Sequence, residues 1–101
     1  MSAEPLYMLA RWRVRDGALG AVLSLVPELI AATRREPGNQ LYRVFQHGDA
    51  SQRTLVLIEG YADRAAVEAH RQSDHFQRIV VGRIVPLLEE RDVREMVALD
   101  S

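Results

Sequence analysis

Between Leu6 and Thr33 the chain changes its hydrophobic period once, and that change limits what it can fold into. From Leu6 to Arg15 it alternates. Met8, Ala10, Trp12 and Val14 point one way, and Tyr7, Leu9, Arg11 and Arg13 the other, as in a strand. Asp16-Gly17 is a turn signal and a helix start. From Ala18 to about Arg35 the period becomes helical, with Leu19, Val22, Val26, Leu29, Ile30 and Thr33 in one stripe. Pro27 lies inside that stripe and is expected to kink the helix, because its ring removes one backbone hydrogen bond. Glu36-Pro37-Gly38 reads as the helix stop.

Two strand-like runs follow, about Asn39 to His47 and Arg53 to Tyr61, joined by the polar tip Gly48-Asp49-Ala50-Ser51-Gln52. Asp63 is a suitable N-cap for a short helix carrying Val67 and His70. Ser73 can cap a second helix on which Phe76, Ile79, Val80, Ile84 and Leu87 share a face, with Pro86 bending or ending it. Arg91 to Leu99 reads as a last strand. The order is β-α-β-β-α-β with the second helix broken in two. It predicts an α+β fold, a ferredoxin-like antiparallel sheet with helices on one face. At 101 residues the chain is expected to be one domain, residues 1–101, with one core.

The strands also carry apolar residues on both faces. The alternation groups Leu41, Phe45, Leu55 and Leu57 on one side and Tyr42, Val44, Val56 and Ile58 on the other. Helices can cover only one of those sides. An open apolar sheet face is unusual on a monomer, so a homodimer packed sheet against sheet is expected.

Composition excludes several functions. A formal charge of −1 with scattered arginines builds no basic stripe for nucleic acid or an anionic membrane. No apolar run reaches transmembrane length, and Met1-Ser2-Ala3-Glu4-Pro5 lacks the regions of a signal peptide. The absence of cysteine rules out disulfides, thiolate catalysis and iron–sulfur clusters. These features suit a cytoplasmic protein. No glycine-rich phosphate loop cradles a nucleotide or flavin cofactor, and Ser24, Ser51 and Ser73 lack a nucleophile elbow.

The residues suited to chemistry lie between Glu59 and Phe76. Glu59 shares a strand face with Leu55, Leu57 and Tyr61, and a carboxylate in an apolar row must find a partner or take up a proton. His70 follows Val67 by three positions and so sits on the inner face of its helix. His75 falls in the first turn after the Ser73 cap, where a helix N-terminus disfavours the imidazolium and leaves a base able to accept a proton. Each has a structural alternative: a rim glutamate paired to arginine, a core histidine bonded to a carbonyl, an exposed first-turn residue. Metal ligation is not expected, since no His-x-x-x-His or His-Glu-x-x-His spacing is present. Trp12, Tyr42, Phe45, Tyr61 and Phe76 supply the aromatic surface, and those facing the helices are candidates to line a flat pocket.

Several segments resemble one family. Leu9-Ala10-Arg11-Trp12-Arg13-Val14-Arg15-Asp16-Gly17 is similar to the opening strand and turn of the antibiotic biosynthesis monooxygenase domains. Arg35-Glu36-Pro37-Gly38-Asn39 with Tyr42 is similar to that family's helix end and second strand. Glu59-Gly60-Tyr61 with Asp63, then Ala69-His70 and Ser73-Asp74-His75-Phe76, resembles its third strand and helix pair. The resemblance implies a dimeric α+β barrel and, for several members, oxygenation of quinols or polyketide-like phenols by O₂ without metal, flavin or haem. It makes His70 and His75 the candidate base and proton shuttle, with Glu59 orienting one of them and Tyr61 donating to a substrate oxygen. Trp12, Tyr42 and Phe76 would contact a small aromatic substrate. The family's haem-degrading branch uses Asn, Trp and His where this chain has Ala10, His70 and Val80, which argues against haem degradation. Isomerisation of a phosphorylated sugar or keto compound, or non-catalytic binding of a small ligand, are the alternative functions.

Overall fold

The computed structural model describes residues 4–100. Four strands, β1 (Leu6–Val14), β2 (Asn39–Gln46), β3 (Thr54–Tyr61) and β4 (Leu88–Met96), form one antiparallel sheet in the order β2-β3-β1-β4. Helix α1 (Leu19–Arg34) joins β1 to β2. Helices α2 (Arg64–Gln72) and α3 (Phe76–Ile84) join β3 to β4, so the ferredoxin-like order read from the sequence is the order observed. Among the described residues, no helix is long and apolar enough to cross a membrane.

The alternation of β1 sends Met8, Ala10, Trp12 and Val14 under the helices, all buried. They meet Val22, Leu25 and Leu29 of α1 and Ile79, Val80 and Ile84 of α3 in the main core, while Met8 packs with Tyr61 and Val67. Leu25, outside the stripe read from the sequence, is buried with the rest. Helix α1 runs unbroken through Pro27. Its end is tied to β2 by the Arg34 guanidinium, which donates to the Tyr42 carbonyl at 2.9 and 3.1 Å.

Helix α2 begins as its sequence suggests, with the Asp63 carboxylate accepting from the Ala66 N–H at 2.9 Å. Ser73 then separates the two helices. Its hydroxyl donates to the His70 carbonyl at 2.6 Å and accepts from the Phe76 N–H at 3.2 Å, closing one helix and opening the next. Helix α3 is wound more widely than an α-helix, with the Val85 N–H reaching the Val80 carbonyl five residues back. A short turn, Val85–Leu87, with Pro86 at its start, ends it.

Two expectations are corrected here. The register places Val44 opposite Leu57 and Tyr42 opposite Glu59, so Tyr42 and Val44 face the helices with Leu55 and Leu57. Leu41 and Phe45 instead share the open face with Val56 and Ile58. An irregularity between Asn39 and Leu41 sets this phase, held where the Asn39 amide donates to the carbonyls of Leu41 and Gly60. The last strand starts at Leu88 rather than Arg91, immediately after the turn that Pro86 begins. The open face keeps Leu9, Leu41, Phe45, Val56 and Ile58 half-buried or exposed, with no element among the described residues over it.

Candidate functional site

Helices α2 and α3 do not close fully on the sheet, and a cavity of about 340 Å³ remains between them. Its floor is Met8, Ala10 and Trp12 of β1. Val67, Phe76 and Val80 supply the helical wall, and Arg91 and Val93 of β4 form part of the mouth. Tyr42, Glu59, Tyr61 and His70 bring their polar groups to the apolar lining. This is the usual make-up of a small-molecule site, an apolar hollow with a few convergent polar groups.

Glu59 stands opposite Tyr42 in the sheet and is 8% exposed. Burial raises its carboxyl pKa, against the opposing pull of the Tyr61 hydrogen bond and of His70. The Tyr61 hydroxyl donates to Glu59 Oε1 at 2.6 Å. Burial and the neighbouring Glu59 charge both hold the Tyr61 phenol well above its ordinary pKa, so it stays a donor. Tyr42 is raised as well, chiefly by burial and then by Glu59 and Glu36.

His70 is 4% exposed and boxed by aromatic rings, with centroids at 5.2 Å to Tyr61, 5.1 Å to Phe76 and 5.9 Å to Tyr42. Its two nitrogens face different partners. Nδ1 lies 2.7 Å from Glu36 Oε2, and Nε2 lies 3.9 Å from Glu59 Oε1 on the cavity side. A carboxylate oxygen only accepts, so Nδ1 carries the proton and donates it to Glu36. In the neutral ring Nε2 is then left with its lone pair toward the cavity.

Behind His70 the same Glu36 oxygen meets His75 Nε2 at 2.5 Å. Ser73 Oγ is 3.1 Å from that nitrogen, but its own proton is given to the His70 carbonyl. Nε2 of His75 must therefore be the donor, to Glu36 and to Ser73. The groups run in sequence from the cavity toward the surface: Nε2 of His70, Nδ1 of His70, Glu36, His75. The side chains of Glu36 and His75 keep 13% and 16% of their surface in solvent.

The donor atoms of Glu36, His70 and His75 all lie within 4.8 Å of one another, a set that could in principle hold a cation. Its N···O separations of 2.5 and 2.7 Å are those of hydrogen bonds. A first-row metal about 2.0–2.2 Å from each donor would need them spread to roughly 3 Å and both protons expelled. The arrangement fits a proton-sharing cluster better than a metal cage.

The model of the antibiotic biosynthesis monooxygenase family matches residues 5–81, covering β1 through α3 as far as Val81. The chain belongs to the antibiotic biosynthesis monooxygenase family. A relative in Mycobacterium tuberculosis, Rv0793, named for an inferred monooxygenase activity, is 34% identical over 84 residues, 81% of either chain. The solved structure of Rv0793 superposes with a TM-score of 0.87 at 30% identity, covering 97% of this chain and 98% of that one. A crystal structure described as an antibiotic biosynthesis monooxygenase gives 0.85 at 32% identity, covering 93% of this chain and 98% of its own. PA3566 of Pseudomonas aeruginosa gives 0.87 at 27% identity, covering 98% of each.

Of the residues singled out in this family member's sequence, Trp12, Tyr42, Glu59, Tyr61, His70 and Phe76 all line the cavity. His75 does not line it, and sits behind His70 on Glu36. The orienting carboxylate is corrected. Glu36 holds both histidines, whereas Glu59 is beyond hydrogen-bond distance of His70 and is bonded to Tyr61. The Tyr61 proton is thereby directed to Glu59 rather than to the open cavity. The role of Glu36 is hidden in the sequence because Glu-Pro-Gly reads as a helix terminator. The available signal was an acid at the helix end that the family resemblance already included.

Proposed function

We propose that this protein is a cofactor-independent monooxygenase that oxidises a small quinol or polyketide-like phenol with O₂, acting as a homodimer. The observation that carries the reading is His70, a buried imidazole oriented by Glu36 and presenting Nε2 to an apolar, aromatic-lined cavity. A substrate hydroxyl placed there loses its proton to Nε2. The resulting phenolate is electron-rich enough to pass an electron to O₂, and recombination forms a carbon–oxygen bond. Loss of water from the hydroperoxide leaves a quinone, so one oxygen atom enters the product and the other leaves as water. The apolar walls favour the radical pair by excluding water from it.

The proton taken by Nε2 charges the ring, and the Nδ1 proton is drawn toward Glu36. Glu36, whose side chain keeps 13% of its surface in solvent, exchanges it there, while His75 steadies the carboxylate by donating to the same oxygen. Glu59, kept partly toward its neutral form by burial, is the nearest group able to return a proton to the departing peroxide oxygen. Trp12, Tyr42 and Phe76 hold the ring of the substrate. The open sheet face of Leu9, Leu41, Phe45, Val56 and Ile58 supports the homodimer, since it leaves an apolar surface that none of the described elements covers.

The test is oxygen uptake with a panel of hydroquinones and anthrones, comparing metal-stripped wild type with His70→Ala. Saturable uptake by wild type, lost in the variant with folding intact, is the expected result. Wild-type uptake no faster than the uncatalysed oxidation would sink the proposal.

A further inference from the structure

The mouth of the cavity carries an arginine with no counter-ion. No lysine occurs in the chain, so every fixed cation on its side chains is an arginine. Strand β4 is acidic, and each of its acids is already taken. Glu89 binds Arg53 at 2.7 Å, Glu90 binds Arg11, and Asp92 binds Arg94. Glu95, on the helix side, binds Arg64 of α2. Arg91 lies between these acids yet makes no ion pair and no side-chain hydrogen bond among the described residues. The register explains why. Arg91 stands opposite Trp12, and Val93 opposite Ala10, so both face the helices and line the cavity. Arg71 of α2 lines the same cavity, and among the described residues its one ion pair is with Glu68 of its own helix at 3.5 Å.

We infer that Arg91, with Arg71, is an anion-recognition site at the cavity mouth, and that the ligand is a one- or two-ring aromatic bearing a carboxylate. This names the substrate class for the site proposed above and rests on that cavity being the substrate site. A guanidinium offers a planar fork that matches a carboxylate, and an arginine without a protein partner loses no ion pair by binding one. The apolar floor of Met8, Ala10 and Trp12 takes the ring, leaving the acid at the solvent side. The volume, about 340 Å³, is at the small end for ligand sites and suits one or two rings.

The experiment is an anaerobic NMR titration of amide shifts with two probes, gentisate and hydroquinone, which share a ring and differ by the carboxylate. Wild type should bind gentisate more tightly, with shifts centred on β4 near Arg91 and on α2, and added salt should weaken gentisate selectively. Arg91→Gln should cut the gentisate affinity on the order of 10- to 100-fold, the scale of a lost charge-assisted hydrogen bond. Arg71→Gln should cut it less. Arg83→Gln, an exposed arginine away from the cavity, should keep the wild-type preference. Equal affinity for the two probes, no gentisate binding at millimolar concentration, or a preference that survives Arg91→Gln would each overturn the inference. Selective gentisate binding without oxygen uptake would remove the oxygenase reading alone, so the two failures are distinguishable.

Discussion

The carboxylate of Glu36 accepts a hydrogen bond from Nδ1 of His70 at 2.7 Å, joining a helix end to the inner face of a helix 34 positions away. Which nitrogen of His70 is basic follows from this bond alone. Glu36→Gln keeps the shape but removes the charge that steadies a protonated ring. Oxygenation of a quinol should fall about 100-fold or more, the scale of a lost general base. Nitrogen-15 NMR of the imidazoles gives a check that needs no turnover. His70 should be the Nδ1–H form in wild type and lose that preference in the variant. A wild-type ring protonated on Nε2 alone would contradict the assignment.

Glu59 couples the stability of the fold to pH. Its folded-state pKa is raised above the ordinary glutamate value, mainly by burial. The folded state therefore holds this proton more tightly than the unfolded chain. Stability tied to it is fully present below about pH 4.5 and is lost as pH rises through the folded-state pKa. Glu59→Gln removes the cost of burying the charge and can still accept from Tyr61. The variant should match wild type near pH 4 and melt higher at pH 8, by roughly 4–8 °C for each kcal/mol regained. A lower melting temperature at pH 8 would mean that the ionised carboxylate stabilises the fold.

How much of this was legible in the chain depends on which signal carried it. Element order was readable because β1 and α1 have clean periods, and the position of His70 followed from its distance to Val67 along one helix. Glu59 was legible as a carboxylate in an apolar row. Glu36 was not, since its role arises where a helix end meets α2 and no periodicity encodes that meeting. The phase of β2 is hidden in the sequence for a related reason. Alternation fixes the two faces of a strand but not which face joins which face of its neighbour, and here the irregularity at Asn39 decided it. The start of β4 was obscure because an acidic, exposed edge strand has little apolar pattern to read.

Ile58 lies on the open face of the sheet with Leu9 opposite it in the register. Placing a charge there opposes any apolar contact between two sheets while leaving the core under the helices intact. Ile58→Glu should halve the mass measured by light scattering at micromolar concentration, with the circular dichroism spectrum retained. A wild-type protein that is monomeric under the same conditions would remove the dimer.

Helix α2 approaches the chain after α1 closely. A Cβ added at Gly38 would collide with the Cβ of Ala66, so only glycine leaves room for the first turn of α2. The Gly38 carbonyl also accepts from the Ala62 N–H at 2.9 Å, fixing the segment just before that helix. Because α2 carries His70 and Glu36 precedes Gly38 by two residues, this contact sets the distance across which the two side chains bond. Gly38→Ala must push α2 outward, at a cost of about 1–3 kcal/mol. Thermal unfolding should show a lower melting temperature, and the Nδ1–H signal of His70 should weaken with it. Adding Ala66→Gly restores the space at the expense of about 1 kcal/mol of helix propensity, so the double variant should recover the His70 signal more fully than the stability. A Gly38→Ala protein with wild-type melting temperature and an unchanged His70 signal would show that α2 is not held by this contact.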